Sequence, residues 1–376
     1  MSDMIYFDNA ATTFPKPPTV TEEMVKCMRE SCGNPGRGSH PLALAASEIL
    51  YECRETAAEM FSASSPDNVV FVQNTTYALN LAMKAYIPKG THILISDMEH
   101  NAVLRPAEEM KRWGHITYDV FPTQGGPSQI ISGISCRIRD NTSAVVCTLA
   151  SNICSRRLPS REIGKFCRDR GIIFIADGAQ AAGHRRISMK DEGIDVLCIP
   201  GHKGLYGPQG IGMMITSVKV PGRTLVEGGS GTDSLSPLMP DYLPDRFEAG
   251  TVNTPGVAGL LEGMRFVSEV RPECIDAMGK ELWYRLYSKL CGDRRFEIYG
   301  DRCPSSVMLI NKKGREPSEI SGYLAKCGIC TRSGLHCAPL AHKTIGTGER
   351  GGVRISFGVF NTVKEVDILC DALLRA

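Results

Sequence analysis

Between residues 69 and 215, short apolar runs alternate with amphipathic stretches, and that alternation leaves few folds open. The strand-like runs are 69–72, 92–96, 116–120, 144–149, 172–176, 196–199 and 211–215. Helix-like stretches such as 78–85, 103–113 and 160–170 fall between them. Strands in regular alternation with helices specify an α/β fold with a mostly parallel central sheet and helices on both faces. Residues 41–61 precede the pattern as an amphipathic helix, with Leu42, Ala45, Ile49, Cys53, Ala57 and Met60 expected on its apolar face. The pattern weakens after Pro255. A helical stretch at 257–270 leads into a smaller α+β unit. The expected division is a large domain at 16–255 and a small one at 256–376, with 1–15 packing on the latter.

The chain has 376 residues, enough for two or three domains. Apolar content of 42% and charged content of 22% are ordinary for a soluble globular protein. A formal charge of +2 points to no nucleic-acid or membrane partner. No apolar run has spanning length, and the first residues lack the pattern of a secretion signal. The fifteen cysteines are scattered, several inside apolar runs. That suits reduced thiols in a cytoplasm better than a disulfide framework.

Chemistry-bearing residues gather where strand-like runs end. The run at 172–176 ends on Asp177, and the run at 196–199 is followed by Pro200-Gly-His202-Lys203-Gly. Open α/β sheets bind ligands at the carboxyl ends of their strands. An acid and an amine in those places are what pyridoxal phosphate needs: a lysine for covalent attachment and a carboxylate for the pyridine nitrogen. Taken singly, Lys203 reads equally as a solvated loop lysine and Asp177 as a turn cap. Thr75 and Thr76 open a helix after the run at 69–72, as plain caps or as part of a phosphate site. His100 stands after the run at 92–96, in a polar turn or over a planar cofactor, where a near-neutral pKa would let it carry protons. Cys337, beside His336 and near Arg332, is in a setting that favours a nucleophilic thiolate, or is one more thiol among fifteen. Arg354 suits a carboxylate clamp or an ordinary exposed strand position. Cys327 and Cys330 form a single CxxC with no second pair, and no metal site is expected.

Together these segments resemble the class V aminotransferase family of pyridoxal-phosphate enzymes, in particular its cysteine desulfurases and selenocysteine lyases. The resemblance runs from Tyr6-Phe-Asp-Asn-Ala-Ala-Thr12 almost to the C-terminus. It implies the pyridoxal-phosphate fold type I. It implies that Lys203, in the His202-Lys203 pair, holds the cofactor, that Asp177 pairs with the ring nitrogen, and that Gln180 bonds the ring hydroxyl. His100, in Glu99-His100-Asn101, would stack on the ring, and Thr75 and Thr76 would cradle the phosphate. Asn152, in Ser151-Asn152, would lie near the ring hydroxyl and substrate. Arg354 and Arg332 would bind the substrate, and Cys337 would form the persulfide. Glu248-Ala-Gly-Thr251 resembles the segment that reaches a neighbouring subunit's phosphate, which implies a homodimer with Thr251 crossing between subunits. The implied substrate is L-cysteine or L-selenocysteine, with a sulfur-acceptor protein downstream. The alternatives are a selenocysteine lyase, a conventional aminotransferase on the same fold, or a cofactor-binding scaffold with little activity. Two positions depart from the family. Pro200 stands where a hydroxyl residue is usual, and Ser155 stands where glycine is usual, followed by Arg156 and Arg157, either a solvated pair or a replacement for a lost phosphate contact.

Overall fold

The chain opens with a two-residue strand, β1 (Ile5–Tyr6). Seven further strands then build the main sheet: β2 (Val69–Val72), β3 (Thr91–Ser96), β4 (Ile116–Phe121), β5 (Thr142–Thr148), β6 (Ile173–Asp177), β7 (Val196–Pro200) and β8 (Gly212–Thr216). Their order across the sheet is β2-β8-β7-β6-β5-β3-β4. These positions come from a computed structural model, which describes residues 4–36, 38–219, 222–301 and 303–376.

Both faces of the sheet are covered, so its strands are rich in β-branched and other apolar residues rather than alternating with polar ones. The two-residue period still shows in which core each side chain enters. Phe71, Leu94, Val145, Phe174, Leu197 and Met213 pack in one apolar cluster. Val72, Ile93, Val146, Ile175, Val196 and Met214 pack in another. Helices Pro41–Phe61 and Thr254–Val270 pack against each other, and Thr75–Tyr86 lies against β7 and β8.

One strand breaks the parallel pattern. β8 runs antiparallel to both of its neighbours, β7 and β2. A parallel return needs a crossover, usually a helix. Residues 201–211 hold no helix, so the chain comes straight back and the next strand is reversed.

The apolar face of helix Pro41–Phe61 differs from expectation. Cys53 and Ala57 are buried as expected and Ile49 and Met60 pack against the core, but Ala43, Ala46, Leu50, Arg54, Ala58 and Phe61 are buried as well, whereas Leu42 is 52% exposed. Small residues face inward because this helix packs closely on Thr254–Val270. The larger Leu42, Leu44 and Tyr51 are left outside.

The C-terminal region forms its own antiparallel sheet from β9 (Phe296–Tyr299), β10 (Val307–Lys312), β12 (Arg332–Gly334) and β13 (Gly352–Ser356), in the order β12-β13-β10-β9. A further strand, β11 (Ile329–Cys330), pairs in parallel with β1. Phe7 joins Trp283, Leu309's neighbours Met308 and Ile310, and Phe357 in a separate apolar cluster. Cys330 is thus a strand residue, and no group of three or more candidate metal ligands occurs among the described residues. No helix among them is long and apolar enough to cross a membrane.

Candidate active site

The carboxyl ends of β2, β3, β5, β6 and β7 converge on one pocket. Thr75, Thr76, His100, Asn152, Asp177, Gln180, Pro200, His202 and Lys203 all line it. Most of the residues singled out from sequence are therefore brought together, from the ends of five strands and the turns that follow them. Thr251 is not among them. It is exposed beside Glu248, on clefts that do not include Lys203. Glu248 itself is tied down, accepting from Arg54 at 2.7 Å and from the Phe71 amide at 2.6 Å.

Asp177 ends β6, level with Thr148 on one side and Cys198 on the other. It is 3% exposed, and Oδ1 accepts from the Ala179 amide at 2.9 Å. Burial raises its pKa, partly offset by that amide and by Lys203. Burial likewise lowers Lys203, to about 8. A lowered ammonium pKa leaves more neutral amine near physiological pH, the form that can attack a carbonyl or take a proton. The two loops are held together by glycines. A Cβ on Gly204 would lie 2.1 Å from the Ala182 carbonyl oxygen, and one on Gly183 would lie 1.8 Å from that of Gly204. Only hydrogen fits there, so the Asp177 and Lys203 turns touch backbone to backbone.

The N-terminal segment fastens the lysine loop from the other side. The His202 carbonyl accepts from the Thr13 amide at 3.1 Å, from Thr12 Oγ1 at 3.1 Å and from Lys16 Nζ at 2.8 Å. Thr13 Oγ1 also donates to the Lys203 carbonyl at 3.0 Å. Sequence reasoning gave Thr12, Thr13 and Lys16 no role. Their only signal was that Thr12 closes the Tyr6–Thr12 motif and Thr13 and Lys16 follow it.

At the start of helix Thr75–Tyr86, Asn74 Oδ1 accepts from the Tyr77 amide at 2.9 Å. The first amides of a helix have no intrahelical acceptor, and the helix end carries partial positive charge. Thr75 Oγ1 is buried without a hydrogen-bond partner among the described residues. This donor set fits a phosphate. Pro200 lines the same pocket but offers no hydroxyl, so a phosphate there would be held by the threonines and the helix end without it. His202 Nδ1 is a second buried polar atom of this pocket without a hydrogen-bond partner among the described residues.

His100 caps helix Asn101–Arg112, with Nδ1 accepting from the Ala102 amide at 3.0 Å. Nδ1 as acceptor places the ring proton on Nε2. Burial, followed by Lys203 and nearby arginines, lowers the pKa to about 4. The expected near-neutral pKa is therefore corrected: His100 is a neutral imidazole that donates from Nε2.

Cys337 is exposed on a cleft that also contains Thr76, His100 and Arg105. Both His336 and Cys337 have left-handed backbones, with φ of 49° and 56°. The turn is pinned by its neighbours: Asn152 Nδ2 donates to the His336 carbonyl at 2.8 Å, and the Asn101 amide donates to that of Cys337 at 2.7 Å. The His336 ring faces inward, 3.1 Å from the Arg332 carbonyl and 3.4 Å from His342. Burial lowers its pKa to about 3. A neutral, inward ring gives Cys337 no adjacent positive charge, so the expected activation by His336 does not hold. Its contribution is to shape the turn.

Arg354 on β13 is 2% exposed. Its NH1 group donates to the Asn152 carbonyl at 3.1 Å and NH2 pairs with Asp8 Oδ1 at 2.6 Å. Arg332 is its cross-strand partner and is exposed. Gln180 Nε2 donates to the Ala10 carbonyl at 2.9 Å. Ser155 and Arg156–Arg157 play no part in this pocket. Ser155 Oγ donates to the Asp301 carbonyl at 3.1 Å, Arg156 pairs with Asp301, and Arg157 pairs with Asp276. They join the main-sheet region to the C-terminal one, so neither a solvated pair nor a phosphate contact describes them.

Glu99 was quoted in the His100 motif and given no role. It is fully buried, and Oε1 accepts from the Thr148 amide at 2.9 Å and from Ser96 Oγ. Burial raises its pKa to about 8, so the acid is largely protonated at neutral pH. It ties the end of β3 to the end of β5. Glu99→Ala is expected to cost about 1–3 kcal/mol by stranding the Thr148 amide. Glu99→Gln, which resembles the protonated acid, should unfold near wild type in a thermal melt.

A family model described as aminotransferase class-V matches residues 5–369. A probable cysteine desulfurase of Methanothermobacter thermautotrophicus is 31% identical over 386 residues, covering 99% of this chain and 94% of the relative. A cysteine desulfurase of Yersinia pestis is 28% identical, covering 99% and 93%. The solved apo structure of cysteine desulfurase from Thermococcus onnurineus NA1 superposes with a TM-score of 0.89 at 28% identity, covering 100% of this chain and 94% of that one. Fold and pocket define an α/β enzyme of fold type I. The chain belongs to the class-V aminotransferase family, whose members use pyridoxal phosphate, and within it is cysteine desulfurase-like.

Proposed function

We propose that the protein is a cytoplasmic, homodimeric, pyridoxal-phosphate-dependent cysteine desulfurase. It converts L-cysteine to L-alanine and takes the sulfur onto Cys337 as a persulfide, for delivery to an acceptor protein. The observation that carries this reading is an exposed thiol on a cleft that shares His100 and Thr76 with the Lys203–Asp177 pocket. A conventional aminotransferase has no use for a thiol in that place.

The pocket residues fit the cofactor. Lys203 would hold it covalently, Asp177 would pair with its ring nitrogen, and Thr75, Thr76 and the helix end would hold its phosphate. When bound, it supplies an electron sink for the substrate's α-carbon. The rest falls to this chain's own side chains. Lys203, with its lowered pKa, takes the α-proton as a neutral amine. Arg354 grips the substrate carboxylate, and Asn152 holds both Arg354 and the Cys337 turn in place. His100 donates from Nε2 toward the substrate. The Cys337 thiolate attacks the substrate sulfur: an S–S bond forms, the Cβ–S bond breaks, and its electron pair remains on the carbon side to be protonated as alanine.

Two features support a homodimer. Thr251 does not line its own chain's pocket, which suits a residue serving a second subunit. A single chain also leaves Leu42, Leu44 and Tyr51 exposed along one helix.

Asp177→Asn keeps the shape of the site and removes the charge that would pair with a protonated ring nitrogen. Such preorganised charge is worth about 10²–10³-fold in kcat. The loss should appear in kcat with cofactor still bound, and a rate near wild type would reject the pairing.

The function is tested by incubating holoenzyme with L-cysteine, with and without a keto acid. The reading expects alanine in equal amount to released or bound sulfur, with no need of the keto acid. Products that require the keto acid would identify an aminotransferase. The same assay with L-selenocysteine measures preference between the chalcogens.

A further inference from the structure

We infer that Asp8 is an internal carboxylate that competes with the substrate's carboxylate for Arg354 and so sets the amino-acid affinity of the site. The inference rests on the reading of Arg354 as the substrate clamp.

Arg354 is held inside the protein by two contacts that differ in kind. The Asn152 carbonyl is a fixed, neutral acceptor. Asp8 is an anion, and it meets the guanidinium through one oxygen and one nitrogen, Oδ1 to NH2. Arg354 Nε is buried and has no partner among the described residues. The pairing is therefore not the two-pronged one that guanidinium and carboxylate prefer. A carboxylate that reached Nε and NH2 together would make that better pairing. It would meet Asp8 already at NH2.

The Asp8 backbone does not move aside easily. Its carbonyl accepts from the Ala11 amide at 3.0 Å and from Tyr6 Oη at 3.2 Å, and residue 8 bridges Ser356. Its side chain is one-fifth exposed, so the carboxylate has solvent to turn toward. Arg332, opposite Arg354 across the strand pair, adds a second positive charge. It is exposed, and water screens its attraction. Two anions and one buried guanidinium cannot all be fully paired. Asp8 thus neutralises a buried cation while the site is empty and weakens the hold on any incoming carboxylate.

Asp8→Asn keeps the size and a carbonyl oxygen for Arg354 but removes the competing charge. Holoenzyme of wild type, Asp8→Asn and Asp8→Ala is titrated with L-alanine and with ethylamine, which lacks the carboxylate, and binding is read by calorimetry and by cofactor absorbance. Wild type should prefer L-alanine. Asp8→Asn should bind L-alanine about fivefold more tightly, the scale of one partly screened charge interaction. Ethylamine affinity should not change. If Asp8→Asn weakens L-alanine binding, Asp8 is a support for Arg354 and the inference is wrong. It is equally wrong if both ligands shift together. Failure of wild type to distinguish the two ligands would overturn the clamp reading itself, and this inference with it. Asp8→Ala checks that the result follows the charge and not the amide.

Discussion

Lys203→Ala is expected to abolish conversion of cysteine while the protein still takes up pyridoxal phosphate. Two separate duties end on this one nitrogen, attachment of the cofactor and movement of the α-proton. Lys16, which reaches the same loop, is engaged with the His202 carbonyl and Thr13 and so should not stand in for Lys203. Uptake should survive because the residues proposed to hold the phosphate and ring, Thr75, Thr76 and Asp177, follow or end other strands. Borohydride reduction of wild-type holoenzyme should fix pyridoxal to the peptide containing Lys203, and the variant should lose that label. Attachment to wild-type apoprotein should also quicken as pH rises toward about 8, where the lowered pKa frees the amine. Label on another lysine would overturn the assignment.

The second large effect concerns Cys337. Cys337→Ala should leave cofactor absorbance and cysteine binding intact and block alanine formation from cysteine. Sulfur leaves the β-carbon less readily than selenium, so cysteine needs a nucleophile to take the sulfur, and part of the selenocysteine activity should survive. Because the His336 ring faces inward and its carbonyl is held by Asn152, His336 variants should act by disturbing the turn. An undiminished rate on cysteine in Cys337→Ala would make this thiol incidental.

What could be read in the sequence follows what its patterns encode. Val69–Val72 and Val196–Pro200 were legible because uninterrupted apolar runs between turns are characteristic of strands buried on both faces. The reversal of β8 was not, since a two-residue period says nothing about strand direction. The inward face of Pro41–Phe61 was legible in its second half, where Cys53 and Ala57 are buried and Met60 packs on the core, but not at its start, where Ala43 and Ala46 go in and Leu42 stays outside. The site was legible as a set of residue types at strand ends. Its electrostatics were not. Burial moves His100 to about 4 and Glu99 to about 8, and only three-dimensional packing sets burial. Arg156 and Arg157 looked available to a phosphate, but their partners Asp301 and Asp276 are more than a hundred residues away in sequence.

Desulfuration by this protein requires sulfur to pass to one thiol. Wild-type holoenzyme exposed briefly to L-cysteine, alkylated and digested, should show the mass of one added sulfur on the peptide bearing Cys337. The same treatment of Lys203→Ala should show none. Alanine production with no sulfur ever found on that peptide, or sulfur found on a different cysteine, would contradict it.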